Sequence, residues 1–216
     1  MSDTAKAEEM LFTRAGLDRN KVQTLVDGAL DGCDDGELFM EYKQSEALAW
    51  DDGRLKSASF DTSQGFGLRA VSDESTGYAH ASELSEAAIK RASDTVQSVR
   101  QGRSGTMADG PTGTNQSLYI DDNPLNDVPF EEKVKLLAEI DEYARSADDR
   151  VRQVSASLAG SWQVVEIMRA DGLRTGDIRP LVRFNVSVMM GEGDRQETGS
   201  FGTGGRTLYA DYLKPE

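Results

Sequence analysis

Histidine and cysteine are almost absent from this 216-residue sequence, which has one of each, His80 and Cys33. A zinc site built from several histidines, a mechanism that needs two histidines and an internal disulfide are therefore excluded within this chain. A Ser-His-Asp arrangement could use only His80, which lies on a predicted strand, and an ordinary strand histidine is the favoured interpretation. Cys33 lies at a predicted helix end without a basic neighbour, so we predict a structural role.

Positive charge is also scarce, with 24 Lys and Arg against 38 Asp and Glu and a net charge of -14. This balance argues against nucleic acid or an anionic membrane as a partner, because both require clustered positive charge. The first ten residues have neither the basic nor the apolar region of a signal peptide. No stretch approaches the roughly 20 apolar residues of a membrane span. Together with the single cysteine, these absences predict a cytoplasmic protein.

The motifs of nucleotide binding are missing as well, since there is neither a Walker loop nor a dinucleotide fingerprint. Gly65-Phe66-Gly67 is not followed by a helical pattern, and glycine within a strand more often indicates a bulge or a close backbone approach. The glycine-rich stretch Gly199–Arg206 lacks the lysine of a P-loop, and we predict a flexible hinge there. Adjacent acids are predicted to be solvated turn residues at Asp51/Asp52 and Asp121/Asp122. The residue pattern therefore assigns no catalytic, cofactor-binding or metal-binding residue.

Alternating apolar residues dominate the segment between Glu37 and Ser82, and this period predicts about five short antiparallel strands. The Asp52-Gly53 pair between two alternating runs is a strong hairpin signal. Ser72 to Ser75 form a second polar turn. The predicted strands are Leu38–Tyr42, Ala47–Trp50, Leu55–Phe60, Phe66–Val71 and a last run around Tyr78 and His80.

The second half of the chain repeats this plan, with Asp171-Gly172 in the position of the first turn pair. We therefore predict an internal duplication of a helix-plus-meander unit, with repeats at about 17–100 and 127–206 joined by a loop at 101–126. Because the two halves share negligible identity, two unrelated meanders are the alternative. The predicted runs are Val151–Leu158, Gln163–Met168, Leu173–Ile178, Leu181–Met190 and Arg195–Phe201.

Three amphipathic helices are predicted around the strands, and capping residues give their bounds. A polar lead-in at 1–16 is predicted to contain a short helix around Glu8 to Phe12. Locally connected strands that outnumber the helices predict an α+β fold, in which antiparallel meanders are covered by helices on one side. The three helices are predicted from Asp18 to about Leu30, from Ser82 or Ser85 to about Arg100, and from Pro129 to about Ser146.

Three motifs in the first half are distinctive: Asp52-Gly-Arg-Leu-Lys-Ser-Ala-Ser59, Gln64-Gly-Phe-Gly-Leu-Arg-Ala-Val71 and Thr76-Gly-Tyr-Ala-His80. Together with Ile178–Val188 and the glycine-rich Gly199–Arg206, they resemble the N-terminal region of the TldD proteins of the TldD/PmbA family. Members of this family have been described as modulators of DNA gyrase. The resemblance covers nearly the whole chain.

The resemblance implies a zinc metallopeptidase that acts on unfolded or small peptides with a paralogous PmbA/TldE-type partner, in an oligomeric full-length protein. The family's zinc motif, H-E-x-x-x-H, belongs to its C-terminal half and is absent from this sequence. Residues 1–216 are therefore expected to be the N-terminal domain, non-catalytic and inactive alone. Zinc is expected in the full-length protein and no cofactor in this chain.

Two functions follow as hypotheses. In the first, exposed edge strands of the meanders guide unfolded peptide by main-chain hydrogen bonds. In the second, the chain is a stand-alone protein-interaction module linked to gyrase or to toxin–antitoxin control. A zinc motif encoded downstream of Glu216 would favour the first hypothesis, and a natural stop codon there would favour the second.

Overall fold

The computed structural model describes residues 3–99, 105–110, 118–170 and 172–212. A helix precedes each of two sets of three strands, in agreement with the predicted order. The helices are α1 (Asp3–Ala7), α2 (Arg19–Leu30), α3 (Glu86–Val96) and α4 (Phe130–Ala147), with a π-helical segment at Glu8–Thr13 and 3-10 turns at Gln97–Val99, Pro124–Asn126 and Tyr209–Asp211. The strands are β1 (Asp35–Asp51), β2 (Arg54–Ser72), β3 (Ser75–Ala81), β4 (Val151–Met168), β5 (Arg174–Glu192) and β6 (Arg195–Gly205).

The six strands form an antiparallel sheet in the order β3-β2-β1-β4-β5-β6. The α+β class predicted from the sequence is therefore confirmed. β3 and β6 are the two outer strands. The register of β2 with β3 runs from Phe66↔Ala81 to Ser72↔Ser75, and that of β5 with β6 runs from Val182↔Gly205 to Glu192↔Arg195.

The prediction of about five short strands in each half is wrong, because each half contains three strands, of which the first two are 17 to 19 residues long. Leu38–Tyr42 and Ala47–Trp50 are parts of β1, and Leu55–Phe60 and Phe66–Val71 are parts of β2. The polar stretches between these runs stay extended because a ladder with neighbouring strands satisfies their backbone groups. Hydrophobic alternation along one strand does not report such pairing.

The tight turns lie where the sequence predicts them. Asp52 and Gly53 have φ angles of 49° and 79°, so both are in the left-handed region that a type I′ hairpin turn requires. Asp73 has a φ of 51° between the paired Ser72 and Ser75. Gly172 has a φ of 77°, while its predicted turn partner Asp171 lies outside the described residues.

The predicted helix caps are also confirmed. The Asp18 carboxylate accepts hydrogen bonds from the backbone N–H groups of Asn20 at 2.9 Å and Lys21 at 3.2 Å. Ser85, the second of the two predicted candidates, caps α3 by accepting from the N–H of Ala88 at 3.1 Å. α3 ends at Val96. The predicted end at Arg100 and two parts of the predicted loop, 101–104 and 111–117, lie outside the described residues.

The described chain divides into two compact units. Unit 1 consists of Met1–Lys43, Ser63–Leu118 and Gln163–Ile178, as far as these are described. Within it α2 and α3 pack against each other, and α3 packs against β3. Its buried apolar residues include Val22, Val26, Ala29, Leu38, Met40, Leu68, Ala70, Ile89, Val96, Val164 and Met168.

The lead-in segment contributes to the unit 1 core, although its sequence predicts a polar lead-in. Leu11 and Phe12 are 0% and 1% exposed. The segment is held by Glu8, whose carboxylate lies 3.3 Å from Arg19 and 3.2 Å from Arg174. The prediction missed this burial because the three apolar residues of the segment, Met10 to Phe12, are consecutive and therefore give no period.

Unit 2 consists of Gln44–Thr62, Tyr119–Trp162 and Arg179–Glu216, as far as these are described. Helix α4 covers one face of its strands, and Leu137 of α4 is fully buried there. Leu125 and Val128, from the segment before α4, join the same cluster. The strand residues in this cluster are Leu48, Ala156, Leu158 and Val182, with Phe184 and Val186 packed against it.

The recurrence of a helix followed by three strands agrees with the predicted duplication, which stays a prediction because a shared element order does not establish common origin. Among the described residues, no helix is long and apolar enough to cross a membrane. The cytoplasmic location inferred from the sequence likewise stays a prediction.

Candidate functional site

His80 lies on β3 and pairs with Gly67 in the strand register. Its side chain is exposed, and its ring stacks on that of Tyr78 with 5.6 Å between the ring centroids. In the described part of the chain His80 makes no hydrogen bond to a serine or an aspartate. The favoured interpretation of an ordinary strand histidine agrees with this environment.

Cys33 is buried just after α2, with 1% of its surface exposed. Its thiol donates a weak hydrogen bond to the carbonyl of Ala29 at 3.9 Å. A buried thiol packed in this way behaves as a small apolar side chain.

The adjacent acids are more ordered than the predicted solvated turn residues. The carboxylate of Asp51 accepts hydrogen bonds from the amide of Gln153 at 2.7 Å and the hydroxyl of Ser155 at 2.9 Å. These two bonds, with a smaller contribution from Lys56, hold the pKa of Asp51 below its usual value. Asp52 pairs with Arg145. Asp52 is 59% exposed in the turn, as a solvated turn residue is, whereas Asp51 is half-buried at the end of β1. The bonds of the two carboxylates tie the hairpin to its neighbours in unit 2.

The Gly65-Phe66-Gly67 run is confirmed as a place of close approach rather than a nucleotide loop. A β-carbon at Gly65 would lie 2.7 Å from the carbonyl oxygen of Ala81. A β-carbon at Gly67 would lie 2.6 Å from the hydroxyl of Tyr78. Both contacts are to β3, so the glycines allow β3 to pack closely on β2.

The glycine-rich stretch Gly199–Arg206 is not the predicted hinge. Gly199 to Gly205 belong to β6 and pair with β5 residue by residue. The backbone groups of β5 compensate for the conformational entropy that glycines lose in a strand. Beyond the strand, Arg206 places its guanidinium 4.7 Å from the ring centroid of Tyr119.

β6 is an outer strand, so one of its edges presents backbone groups that the β5 ladder does not use. We call this the open edge of β6. Nine of its eleven residues are exposed, and the other two, Thr203 and Gly205, are half-buried. The eight residues from Thr198 to Gly205 contain no charge and no proline. Charges and prolines are the usual protection of an exposed edge against strand pairing, and this sequence signal could have identified the edge.

The two faces of β6 differ in character. Phe201 pairs with Val186, which packs against the α4 cluster, so Phe201 lies on the helix-covered face. Its side chain is nevertheless 68% exposed. Ser200 and Gly202 pair with Ser187 and Asn185 and lie on the opposite face. A strand added at the open edge would therefore meet an apolar surface on one side and a polar surface on the other.

The opposite face of unit 2, which we call the open face, is a shallow depression of about 590 Å³. Its lining mixes polar and apolar residues and the depression is shallow, which suits an extended chain better than a compact apolar ligand. The polar residues of the lining are Asp51, Ser155, Ser157, Arg183, Asn185, Ser187 and Ser200, and the others are Ala49, Trp50, Ala156, Val186, Phe201 and Gly202.

The segment after β6 is anchored in the core of unit 2 by Tyr209, which is 1% exposed. The ammonium of Lys133 lies 4.6 Å from the centroid of its ring. Burial raises the pKa of Tyr209 well above its usual value, and the carboxylate of Glu46 acts in the same direction. This anchor fixes the end of β6 against the rest of the unit.

The described residues contain no group of three or more His, Cys, Asp or Glu side chains that could hold a metal ion. These described residues therefore do not offer the donor set of a zinc site.

Two family models match the chain. The model of the PmbA/TldA metallopeptidase domain 1 matches residues 36–98, and that of the PmbA/TldA metallopeptidase central domain matches residues 123–213. The chain belongs to the TldD/PmbA family. The first match holds the meander of β1, β2 and β3 with α3, and the second holds α4 with β4, β5 and β6.

Curated relatives in the TldD/PmbA family support the same assignment. The Metalloprotease TldD homolog of Haemophilus influenzae is 38% identical over 177 residues, which are 80% of this chain and 36% of the relative. That of Buchnera aphidicola subsp. Schizaphis graminum is 31% identical over 207 residues, or 95% of this chain and 43% of the relative. The chain thus spans less than half the length of these curated relatives.

Solved structures share the fold at low sequence identity. One is a protein from Bacteroides thetaiotaomicron named as a proposed modulator of DNA gyrase, with a TM-score of 0.71 and 15% identity over 89% of this chain and 46% of that chain. Another is TldE from Thermococcus kodakarensis, with a TM-score of 0.57 and 14% identity over 88% of this chain and 44% of that chain. The TldD/PmbA fold is therefore present in this chain.

Proposed function

We propose that this chain is the non-catalytic, peptide-guiding part of a TldD-like zinc metalloprotease, and that the open edge of β6 binds unfolded peptides in an extended conformation. The observation that carries the proposal is the exposed, uncharged and proline-free edge from Thr198 to Gly205. Such an edge accepts a further strand through main-chain hydrogen bonds, which do not depend on the sequence of the added strand.

The side chains around the open edge of β6 also support the binding of an extended peptide there. Glycines make up four of the eight residues from Thr198 to Gly205, so few side chains of β6 obstruct a neighbouring strand. Phe201 supplies exposed apolar area on one side, and the short hydroxyl side chains of Ser187 and Ser200 line the other. An extended peptide could thus bury alternate side chains on both faces.

The curated relatives support a role in a protease, because they are named Metalloprotease TldD homolog. Each is more than twice as long as the part that matches this chain. We propose that the zinc centre and the catalytic residues belong to the part of such a protein that this chain does not contain. Guiding an unfolded substrate strand toward that centre would then be the contribution of β6.

A paralogous TldE-type subunit is the proposed partner of the full-length protein. The likeness of this chain to TldE from Thermococcus kodakarensis supports the proposal, since two subunits of one fold can pair through equivalent surfaces as the subunits of a symmetric dimer do. Co-expression with a TldE-type subunit, followed by mass measurement of the complex in solution, tests it. Two species that elute separately at micromolar concentration would contradict the partnership.

Backbone amide mapping tests the peptide-guiding function. The isotopically labelled chain is titrated with a neutral unfolded peptide as long as β6, and we expect the largest shifts at Thr198–Gly205. β3 in unit 1 serves as an internal comparison, because it is also an outer strand but is only seven residues long and packs against α3.

A matched peptide that is N-methylated at alternate residues provides the control, since it keeps every side chain but loses the donors that face the edge. We expect it to bind about tenfold more weakly or worse, because each main-chain hydrogen bond contributes roughly 0.5–1.5 kcal/mol. Equal binding of the two peptides would overturn the proposal. The proposal would also fail if the amide signals of β6 change when the chain is diluted without peptide. Such a change would show that a second copy of this chain occupies the open edge of β6.

A further inference from the structure

Arg183 projects from β5 toward the open edge of β6 on the open face. Gly202, directly across from Asn185, has no side chain to block this path. A β-carbon at Gly202 would lie 2.7 Å from Oδ1 of Asn185 and 3.7 Å from Nη2 of Arg183. The guanidinium of Arg183 and the amide of Asn185 therefore occupy the space above the glycine of the neighbouring strand.

Most donors of Arg183 remain available in this arrangement. Its Nε donates to Oδ1 of Asn185 at 3.2 Å, and Asn185 in turn donates to the hydroxyl of Ser157 at 3.4 Å. Among the residues that the structure describes, Arg183 has no carboxylate partner within ion-pair distance. Asn185 thus orients the guanidinium, while both terminal nitrogens are left to bind another acceptor.

The local charge at this end of β6 is positive, although the chain as a whole carries -14. A shallow depression of about 500 Å³ is lined there by Leu181, Val182, Gly202–Gly205 and the two arginines Arg183 and Arg206, with no acidic residue in the lining. A carboxylate is the acceptor that matches an exposed guanidinium in both charge and planar geometry.

We propose that Arg183 selects peptides with an acidic side chain, by binding that carboxylate where the peptide strand passes Gly202. This inference rests on the proposed peptide-binding function of β6. Adjacent strands lie about 4.8 Å apart, so a bound peptide would run about 4.8 Å beyond β6. Since the guanidinium already reaches over β6, a glutamate side chain on the same face spans the remaining distance.

A set of neutral host peptides tests the inference, each with a single glutamate at a different position and a glutamine counterpart. We expect one glutamate position to strengthen binding about three- to fivefold over glutamine, in the upper part of the range of an exposed ion pair. The preference should weaken as salt is raised. It should disappear in Arg183→Gln and in Gly202→Ala, whose new methyl group would displace Asn185.

Two variants outside the edge from Thr198 to Gly205 are matched controls. Arg195→Gln makes the same change of charge on an arginine that pairs with Glu197, and Gly28→Ala adds the same methyl group in α2, where no atom lies within 4 Å. Both should retain the preference for glutamate. Circular dichroism of all four variants confirms that each is folded before binding is compared.

These titrations distinguish a failure of acidic-peptide selection by Arg183 from a failure of peptide binding at β6. If glutamate and glutamine peptides shift the β6 amides equally, Arg183 does not select acidic peptides, while peptide binding at β6 stands. If no peptide shifts the β6 amides, the proposed function fails and the inference fails with it. A preference that persists in Arg183→Gln overturns the role of this arginine.

Discussion

The ammonium of Lys133 lies 2.7 Å from the carboxylate of Glu46, although the lysine side chain is only 1% exposed. Lys133 also donates to the carbonyl of Leu125 at 2.9 Å and lies over the ring of Tyr209. The buried charge is thus compensated by an anion, a carbonyl and an aromatic face. Because the same lysine contacts strand β1, the segment before α4 and the segment after β6, it fixes three parts of unit 2 in place.

Replacing Glu46 by glutamine should lower the free energy of unfolding by about 3 kcal/mol, because it leaves a buried ammonium without its counter-charge. The double variant Lys133→Met with Glu46→Gln should recover much of this loss, since neither charge is then buried. Urea denaturation of the single and double variants measures both effects. As a control, Glu139→Gln removes the partner of the exposed Lys135 and should change stability by less than about 0.5 kcal/mol. An equal loss in the two glutamate variants would contradict this account.

The features of unit 1 and unit 2 that the sequence predicts correctly are those determined by neighbouring residues. Asp18 and Ser85 cap helices because a side-chain oxygen reaches N–H groups two or three residues later. The Asp52-Gly53 turn depends on two φ angles that few residue pairs adopt. Such signals require no knowledge of the tertiary structure.

The features that the sequence does not reveal depend on distant segments. β1 and β2 continue through polar residues because other strands pair with them, and Leu11 and Phe12 are buried because unit 1 folds over them. The candidate site was missed for the same reason. A hinge is the ordinary interpretation of Gly199–Arg206. The lack of charge and proline is compatible with an exposed edge, but the pairing with β5 is what shows that the run is an edge strand whose glycines leave space for Arg183.

Two glycines with opposite backbone requirements give a second stability prediction. Gly53 has a φ of 79° in the β1–β2 turn, so Gly53→Ala should destabilise the protein by roughly 1–2 kcal/mol. Gly28 lies within α2, and a β-carbon there would meet no atom within 4 Å. Gly28→Ala should therefore stabilise by about 0.5–1 kcal/mol, because alanine loses less backbone entropy in a helix. Thermal unfolding monitored by circular dichroism should show a lower Tm for Gly53→Ala and a higher Tm for Gly28→Ala than for the wild type. Changes of Tm with the same sign in both variants would contradict the prediction.

Asp141 of α4 should make the stability of the protein depend on pH in the acid range. The residue is 3% exposed, its Oδ2 accepts from the indole N–H of Trp50 at 2.9 Å, and its Oδ1 accepts from Nε of Arg145 at 2.7 Å. Burial raises the pKa of Asp141, but these hydrogen bonds outweigh burial and hold the pKa below its ordinary value of 3.8. The folded state therefore favours the ionised carboxylate.

Because the folded pKa lies below the unfolded one, the stabilisation from Asp141 is present above pH 3.8 and is lost as the pH falls through the folded pKa. Urea denaturation between pH 7 and pH 2 should show a difference between wild type and Asp141→Asn that is constant above about pH 5 and shrinks below about pH 4. In a Trp162→Phe background, the emission of Trp50 should change over the same acid range, since its indole loses an ionised acceptor. Asp149→Asn, at an exposed turn position before β4, is the control. The contrary outcome is that the free energies of unfolding of the wild type and Asp141→Asn differ by the same amount at every pH. That result would show that ionisation of Asp141 does not stabilise its contacts with Trp50 and Arg145.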